Sequence, residues 1–435
     1  MKTALLFFIV LGLWCSCFNV LNNGEPVYTP RIVWQTKINY RKSWAYPFES
    51  GGYGYYPEES CHFSAERPYY ARLVKIDLNN GKIIWRTDNV PTQYTDQAQK
   101  IGEYIYLPLD KKDLIMVYND FDGSLAATVS LNSGAPTGTS LNGVYGCHTA
   151  VWGKYIFWGN NDSPTWSHQG LMRFDTGQID FTREPATVQL IEPQLVYPVN
   201  WQSGITTNIA VKDGIVYFLT SRHWWTGGVV MFSHLAAVNA ETGAVLWVTK
   251  RDHGWGERDY SLLVNGDRLY VIDRNPCCYN RWTGEPIFEK KDDVYEYTDA
   301  GSSLAGISFY NNKLYYTTGM HSHTYLQEPT ADPARIKNII CIDGDTGSLV
   351  WGDLVPDGAS IFTFPLVNKG KAYVVTDLGL RVYHAETGKL IGVDKTVDNM
   401  GNNHNLLYND MVIYPDRKGD YAEPKYAILT AIRAD

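Results

Sequence analysis

The chain has 435 residues, of which 44% are hydrophobic and 19% charged, with 31 Tyr, 14 Trp and a formal net charge of −8. This composition can bury a substantial core and is unlike that of a disordered chain. The negative charge opposes non-specific nucleic-acid binding, which needs a basic surface, so no nucleic acid is expected among the partners.

The N-terminus reads as an export signal. Lys2 precedes an apolar run, Ala4 to Trp14, that is too short to span a bilayer. Cys15 and Cys17 follow, with Ser16 directly before Cys17 and Leu13 four residues before it. This resembles a bacterial lipobox, whose cysteine is diacylated and becomes the new N-terminus. Trp14, three residues before Cys17, is bulkier than that pattern prefers, and simple signal-peptidase cleavage is the alternative. The expected division is residues 1–16 as signal peptide, 17–30 as a linker from a lipidated Cys17, and 31–435 as the folded body. No other stretch is long and apolar enough to cross a membrane, so a lipid anchor is the expected membrane link.

The first strand of the folded body is Arg31 to Ile38, carrying Trp34. Two irregular strands are expected near Trp44–Phe48 and Tyr53–Tyr56. From there a motif recurs: an apolar strand, a polar turn ending in Gly, and a strand with an aromatic four residues after the Gly. It runs from Leu73 to Gly81 with Trp85, from Ala236 to Gly243 with Trp247, and from Ile340 to Gly347 with Trp351. Weaker copies turn at Gly123, Gly177, Gly284 and Gly388. Phe181 and Phe288 stand in for the tryptophan in two of these, Ala127 and Gly392 in the other two.

Each part of the motif has a physical reason. Alternation buries one strand face. Asp or Asn before the turn accepts hydrogen bonds from nearby backbone. Gly supplies a positive φ, and the aromatic wedges between neighbouring sheets. A second hairpin precedes each copy, as in Asp213-Gly-Ile-Val-Tyr and Asn311-Asn-Lys-Leu-Tyr. The unit is therefore a four-stranded sheet, a propeller blade. The turn glycines lie 42, 54, 66, 41, 63 and 41 residues apart, so the longer gaps hold loop insertions.

After Gly388 the chain makes a strand pair around Met411–Tyr414 and ends in Tyr426 to Arg433, with no further Trp strand. The segment carrying Trp34 can supply it. Seven turns plus this split blade predict an all-β, eight-bladed β-propeller of four-stranded blades, closed by the N-terminal strand; seven blades is the alternative.

The string Asp/Asn-x-x-Thr-Gly-x-x-x-Trp resembles the PQQ-like repeat. That repeat occurs in quinoprotein alcohol and glucose dehydrogenases, and in the non-enzymatic outer-membrane assembly lipoprotein that supports β-barrel insertion. The resemblance spans Arg31 to Asp435 and implies the fold. The motif residues are structural, and one fold hosts many functions. Quinoprotein dehydrogenases are typically longer and hold Ca²⁺ with acidic and amide ligands that have no identifiable counterparts here; no cofactor is expected. Some of them carry a vicinal disulfide beside the cofactor. Cys277 and Cys278 are adjacent, but they sit inside a repeat strand and are expected to fill it. Cys61, Cys147 and Cys341 form no zinc spacing, and no metal site is expected.

The insertions concentrate aromatics beside polar groups. Tyr145 to His148 is followed by Trp158, Trp166 and His168. Trp201 precedes Arg222, His223, Trp224 and Trp225, and then come His253 and Trp255. His321 and His323 are two apart, with no third metal ligand. Loops of one propeller face converge, and Trp or Tyr beside Asn, Asp, Arg and His suits sugars. Ligand-binding contacts are accordingly expected at His148, Trp166, His168, Arg222, His223, Trp224, Trp225, His253 and Trp255. A His–Tyr–Arg set, with Tyr217 as the phenol, would suit β-elimination on a uronic-acid polymer. No catalytic set emerges from spacing.

The leading expectation is a non-catalytic envelope lipoprotein of the bacterial outer membrane, scaffolding a protein partner through its loop face. The alternative is a carbohydrate-binding or polysaccharide-cleaving propeller; a PQQ-dependent dehydrogenase is the least favoured reading. The expected partner is an envelope protein or a glycan.

Overall fold

The computed structural model describes residues 25–38, 47–59, 70–90, 97–109, 114–131, 149–160, 170–198, 203–205, 209–222, 233–251, 261–272, 276–289, 307–317, 338–355, 361, 364–376, 378–397, 405–420 and 423–434. Their strands make eight sheets, the blades of an eight-bladed propeller.

From the inner strand outward, blade 1 is Phe48–Ser50, Tyr53–Glu59, Ala71–Asp77 and Ile83–Arg86. Blade 2 is Gln99–Ile101, Tyr104–Leu109, Leu114–Asn119 and Leu125–Leu131. Blade 3 is Ala150–Trp152, Tyr155–Asn160, Gly170–Asp175 and Gln194–Pro198. In blade 4, Ser203–Ile205 and Ala210–Lys212 share the inner position, followed by Ile215–Arg222, Ser233–Asn239 and Val245–Arg251. Blade 5 is Ser261–Asn265, Arg268–Ile272, Cys277–Asn280 and Pro286–Glu289. Blade 6 is Ile307–Tyr310, Lys313–Thr317, Ile339–Asp343 and Leu349–Asp353. Blade 7 is Leu366–Asn368, Lys371–Thr376, Gly379–His384 and Leu390–Asp394. Blade 8 joins Leu406–Tyr408, Met411–Asp420 and Glu423–Arg433 to Ile32–Ile38 from the other end of the chain.

The ring closes where the sequence places the closure. Trp34 pairs with Ala431 and Lys37 with Ile428. Between successive blades lie eight apolar clusters, one per junction. At the junction of blades 1 and 2, Tyr55, Leu73 and Trp85 meet Ile105, Leu107 and Tyr118. Strand alternation alone produces this, because each blade is buried on both faces and feeds two cores.

One turn bond recurs in all eight blades. The first residue past the third strand donates its N–H to a carbonyl in the first hairpin's turn, as Leu78 does to Gly52 and Ala434 to Asp410. This ties both turns of a blade together at one end of the strands.

A second recurring bond ties blade to blade at six junctions. The indole N–H of Trp34 donates to Leu78 O (2.8 Å), Trp85 to Asp120 O (2.9 Å), Trp247 to Arg281 O (3.0 Å) and Trp351 to Ala385 O (2.6 Å). Each acceptor lies three residues before the next blade's turn glycine. In blades 3 and 5, whose outer strands have no indole, another donor from the same blade takes over. Blade 3 has Val196 in that place, and Arg173 Nη1 reaches Ala240 O at 2.7 Å. Blade 5 has Phe288, and Tyr270 OH (3.0 Å) with Arg268 Nη1 (2.5 Å) reaches Gly344 O. A buried carbonyl left unpaired costs roughly 1–3 kcal/mol, which accounts for the substitution of donors.

Blade 3 differs from the sequence expectation. Thr176–Gln178 form a turn of 3-10 helix, and Gly177 does not take the positive φ of the other turn glycines. Phe181 belongs to no strand; its ring stacks on Tyr104 of blade 2 at 4.2 Å and is 36% exposed. The chain then lays Val188–Ile191 parallel to blade 2, opposite Thr128–Leu131, before it forms the outer strand of blade 3. Ala127 gives the reason: it leaves the rim of blade 2 without an aromatic, and Ile191 packs into the core with Val129 and Leu131 instead.

Blade 7 solves the same problem with the other end of the chain. Gly392 leaves room at its rim, and Val27 bridges Val393 in parallel, with Tyr28 N donating to Val393 O at 3.0 Å. Glu25 pairs with the buried Arg381 at 2.9 Å. Residues 25–28, assigned to the linker by sequence, are thus part of the ring. In blade 1 the inner strands are Phe48–Ser50 and Tyr53–Glu59; Trp44 lies outside the described residues.

Candidate functional site

Cys17, His148, Trp166, His168, His223, Trp224, Trp225, His253 and Trp255 lie outside the described residues, as do Cys61, Cys147, Trp201, His321 and His323. Of Arg222 the backbone is described: it pairs with Ser203 at the end of the second strand of blade 4. The strand ends that flank these segments can be compared. Asn160 pairs with Gly170 and Gly170 with Pro198, while Ser221 pairs with Ser233 and Ser233 with Arg251. In both blades these are the ends away from the hairpin turns.

Two aromatics singled out by sequence have structural places. Trp158 is 3% exposed in the core between blades 2 and 3. Tyr217 is fully buried between blades 4 and 5, where no polymer can meet its phenol, and burial raises its pKa. The β-elimination set therefore loses its tyrosine. Cys277 and Cys278 are not joined in a disulfide. Adjacent residues of a strand face opposite ways, so Cys277 enters the core of blades 4 and 5 and Cys278 that of blades 5 and 6.

On the turn side of blades 1 and 2 the described residues form a cleft with convergent polar groups. It has a volume of ≈ 600 Å³, with Tyr53, Ile84 and Phe121 as its apolar wall and Lys75, Lys100 and Asp120 as its charged floor. The blade fold assembles it. Lys75 sits on the third strand of blade 1 and Lys100 on the inner strand of blade 2. Asp120 starts the turn whose carbonyl Trp85 holds. Lys75 Nζ donates to Asp120 Oδ1 (2.7 Å) and Asp120 O (2.8 Å) and lies 4.3 Å from the Tyr53 ring centre. Lys100 donates to Asp120 Oδ2, and Tyr55 OH to Asp120 Oδ1 at 2.6 Å.

Burial opposes the Asp120 charge, but hydrogen bonds from Lys100, Lys75 and Tyr55 outweigh it and hold the carboxyl below its usual pKa. Burial, reinforced by the bond to Asp120, pushes the Tyr55 phenol well up. Glu103 lines the cleft as well, so two carboxylates balance two ammonium groups beside the aromatic wall. That suits recognition of a polar group on an apolar body. It offers no activated nucleophile.

Sequence spacing overlooked this cleft, yet a signal was present. The residue two before the turn glycine is Asn79, Asp175, Glu241, Asp345 or Glu386 in most blades, but Phe121 in blade 2 and Trp282 in blade 5. Two of the acidic ones bind the preceding blade, Asp345 to Arg268 and Glu386 to Lys313, each at 2.6 Å, whereas Asp175 pairs with Lys154 of its own blade. Phe121 is 90% exposed, and Trp282, with Arg281 3.9 Å from its ring centre, is 48% exposed.

The blades, their carbonyl latches and the strand exchange at the closure define an eight-bladed β-propeller of four-stranded antiparallel blades. No protein-family model and no curated protein matches the chain in sequence. Among solved structures it is similar to BamB from Moraxella catarrhalis, with TM-score 0.57 and 11% identity over 93% of this chain and 98% of that one. It is also similar to the quinohemoprotein alcohol dehydrogenase from Comamonas testosteroni, with TM-score 0.60 and 11% identity over 93% of this chain and 76% of that one. Sqt1 from Saccharomyces cerevisiae matches with TM-score 0.54 and 10% identity over 93% and 99%. At these identities the shared property is the fold.

Proposed function

We propose that the protein is a non-catalytic cell-envelope lipoprotein, anchored through Cys17, whose propeller binds a protein partner through the loop face. The observation that carries this reading is the latch around the ring. Indole, arginine and tyrosine donors fix blade to blade, so the wheel offers a preorganised surface and little ordering cost on binding. The resemblance of the repeat to that of the outer-membrane assembly lipoprotein, together with the Leu13-to-Cys17 pattern, supports the envelope and the anchor. Labelling with a fatty-acid analogue and membrane fractionation test the anchor: Cys17→Ala loses the label and leaves the membrane fraction. Pull-down from detergent-solubilised membranes tests for the partner.

The second reading, a glycan-binding face, is favoured by the tryptophans, histidines and arginine between His148 and Trp255. A glycan array separates the two. Saturable sugar binding that Trp224→Ala or Trp225→Ala abolishes would displace the scaffold reading.

A further inference from the structure

Among the described residues the exposed Phe and Trp rings are Phe121, Phe181 and Trp282. Two of them are covered by their own neighbours. Phe181 stacks on Tyr104, while Trp282 has Arg281 over its ring and donates its indole N–H to Asp267 Oδ1 at 2.9 Å. Phe121, the most exposed of the three, has no ring contact among the described residues. It stands at the cleft between blades 1 and 2.

The repeat does not require this arrangement. The residue three before the turn glycine is Leu78, Ala240, Gly344 or Ala385 in blades 1, 4, 6 and 7, and each offers only its carbonyl to the preceding blade. Blade 2 adds a carboxylate at that place, Asp120, which holds Lys75 and Lys100 in the floor of the cleft. Two charged groups there keep hydrogen-bonding capacity. Lys100 Nζ carries three N–H donors and has Asp120 Oδ2 as its one acceptor among the described residues, and its side chain is partly exposed. Glu103, across the hairpin turn, is exposed, and its carboxylate has no hydrogen bond or ion pair among the described residues. A group that only donates and a group that only accepts therefore stand beside an uncovered ring.

We propose that this cleft binds a neutral saccharide. Its volume of ≈ 600 Å³ is that of a small-molecule site. Lys75 and Lys100 balance Asp120 and Glu103, which disfavours an ion of either sign. A sugar hydroxyl both donates and accepts, so neighbouring hydroxyls satisfy Lys100 and Glu103 together. The C–H face of the sugar ring lies on Phe121, with Ile84 extending the apolar wall. The competing ligand is a free amino acid, whose opposite charges match the same two side chains. This site lies on the turn side of the wheel, away from the loop face, and depends neither on a protein partner nor on the lipid anchor.

The full chain is titrated by calorimetry with neutral oligosaccharides of glucose, galactose, mannose and N-acetylglucosamine, and with free phenylalanine as the zwitterionic comparison. Expected are saturable one-to-one binding of at least one oligosaccharide and no binding of phenylalanine. Phe121→Ala should weaken the sugar by about tenfold or more, and Glu103→Gln should weaken it severalfold. Both side chains are exposed, so neither change should unfold the blade, and thermal melts check this. Sugar binding that Phe121→Ala leaves unchanged overturns the proposal, and its loss in Trp224→Ala would place the sugar on the loop face instead. Binding of phenylalanine in place of sugar, or no saturable binding of any oligosaccharide, overturns it equally.

Discussion

Trp351 donates its indole N–H to the carbonyl of Ala385 at 2.6 Å, and its ring fills the space a Cβ on Gly388 would need. An ideal Cβ there would lie 2.5 Å from the ring, and Gly388 has φ of +68°. The glycine is required twice, for its backbone angle and for its missing side chain. Trp85 with Gly123 and Trp247 with Gly284 repeat the arrangement.

Gly388→Ala should therefore destabilise the fold by about 2–4 kcal/mol, combining left-handed strain with overpacking. Gly266, with φ of +55° and nothing within 4 Å of its would-be Cβ, is the control. Gly266→Ala should cost only about 1 kcal/mol. Urea unfolding of both variants measures the difference, and equal losses would refute the packing half of the account.

Arg173→Met tests the substitute latch. It leaves the carbonyls of Ala240 and Glu241 without this donor and removes the cation 4.3 Å from the Tyr155 ring centre. A loss of about 2–4 kcal/mol is expected by the same unfolding measurement. A variant as stable as the parent would show that the latch at this junction is dispensable.

Asp120 makes stability depend on pH. Its folded pKa is depressed, so its contribution is complete above the unfolded carboxylate value near ~4 and is lost as pH falls through the lower, folded value. Asp120→Asn should flatten that part of the acid limb. It should also cost about 3–5 kcal/mol at neutral pH, because Lys75 is only 5% exposed and would lose its counter-charge. Thermal melts from pH 7 to pH 3 read both effects. Parallel pH profiles for parent and variant would count against the assignment.

The three described thiols should be silent in the native state. Burial pushes Cys278 and Cys341 up to about 12, leaving almost no thiolate at neutral pH. A chromogenic thiol reagent should reach Cys277, Cys278 and Cys341 only after denaturation. Intact mass should show no loss of two hydrogens from the Cys277–Cys278 pair.

The strands were legible because each blade carries its own local signature, a glycine turn followed by a wedge. Trp34, Trp85, Trp247 and Trp351 all make the same inter-blade bond in the structure, and Phe288 packs on Gly347. Blade 3 was misread because spacing cannot say which sheet a strand joins. Phe181 follows Gly177 at the right distance, yet Val188–Ile191 leaves for blade 2 and the true outer strand begins at Gln194. Ala127 and Gly392 were visible as gaps in the pattern. That each gap draws in a parallel strand depends on pairing between residues far apart in the chain. The cleft was missed for a different reason. Phe121 occupies a turn position where an aromatic has no structural use, and only comparison across blades exposes the exception.

The closing strand also sets an order of events during synthesis. Gln35 bonds to Thr430 across 395 positions of sequence, and Trp34 must wait for its own blade while already touching Leu78 of blade 1. Residues 32–38 therefore find their partners only once residues 427–432 have been made. Such distant pairing slows maturation and leaves unfinished blades sticky until the final strand emerges.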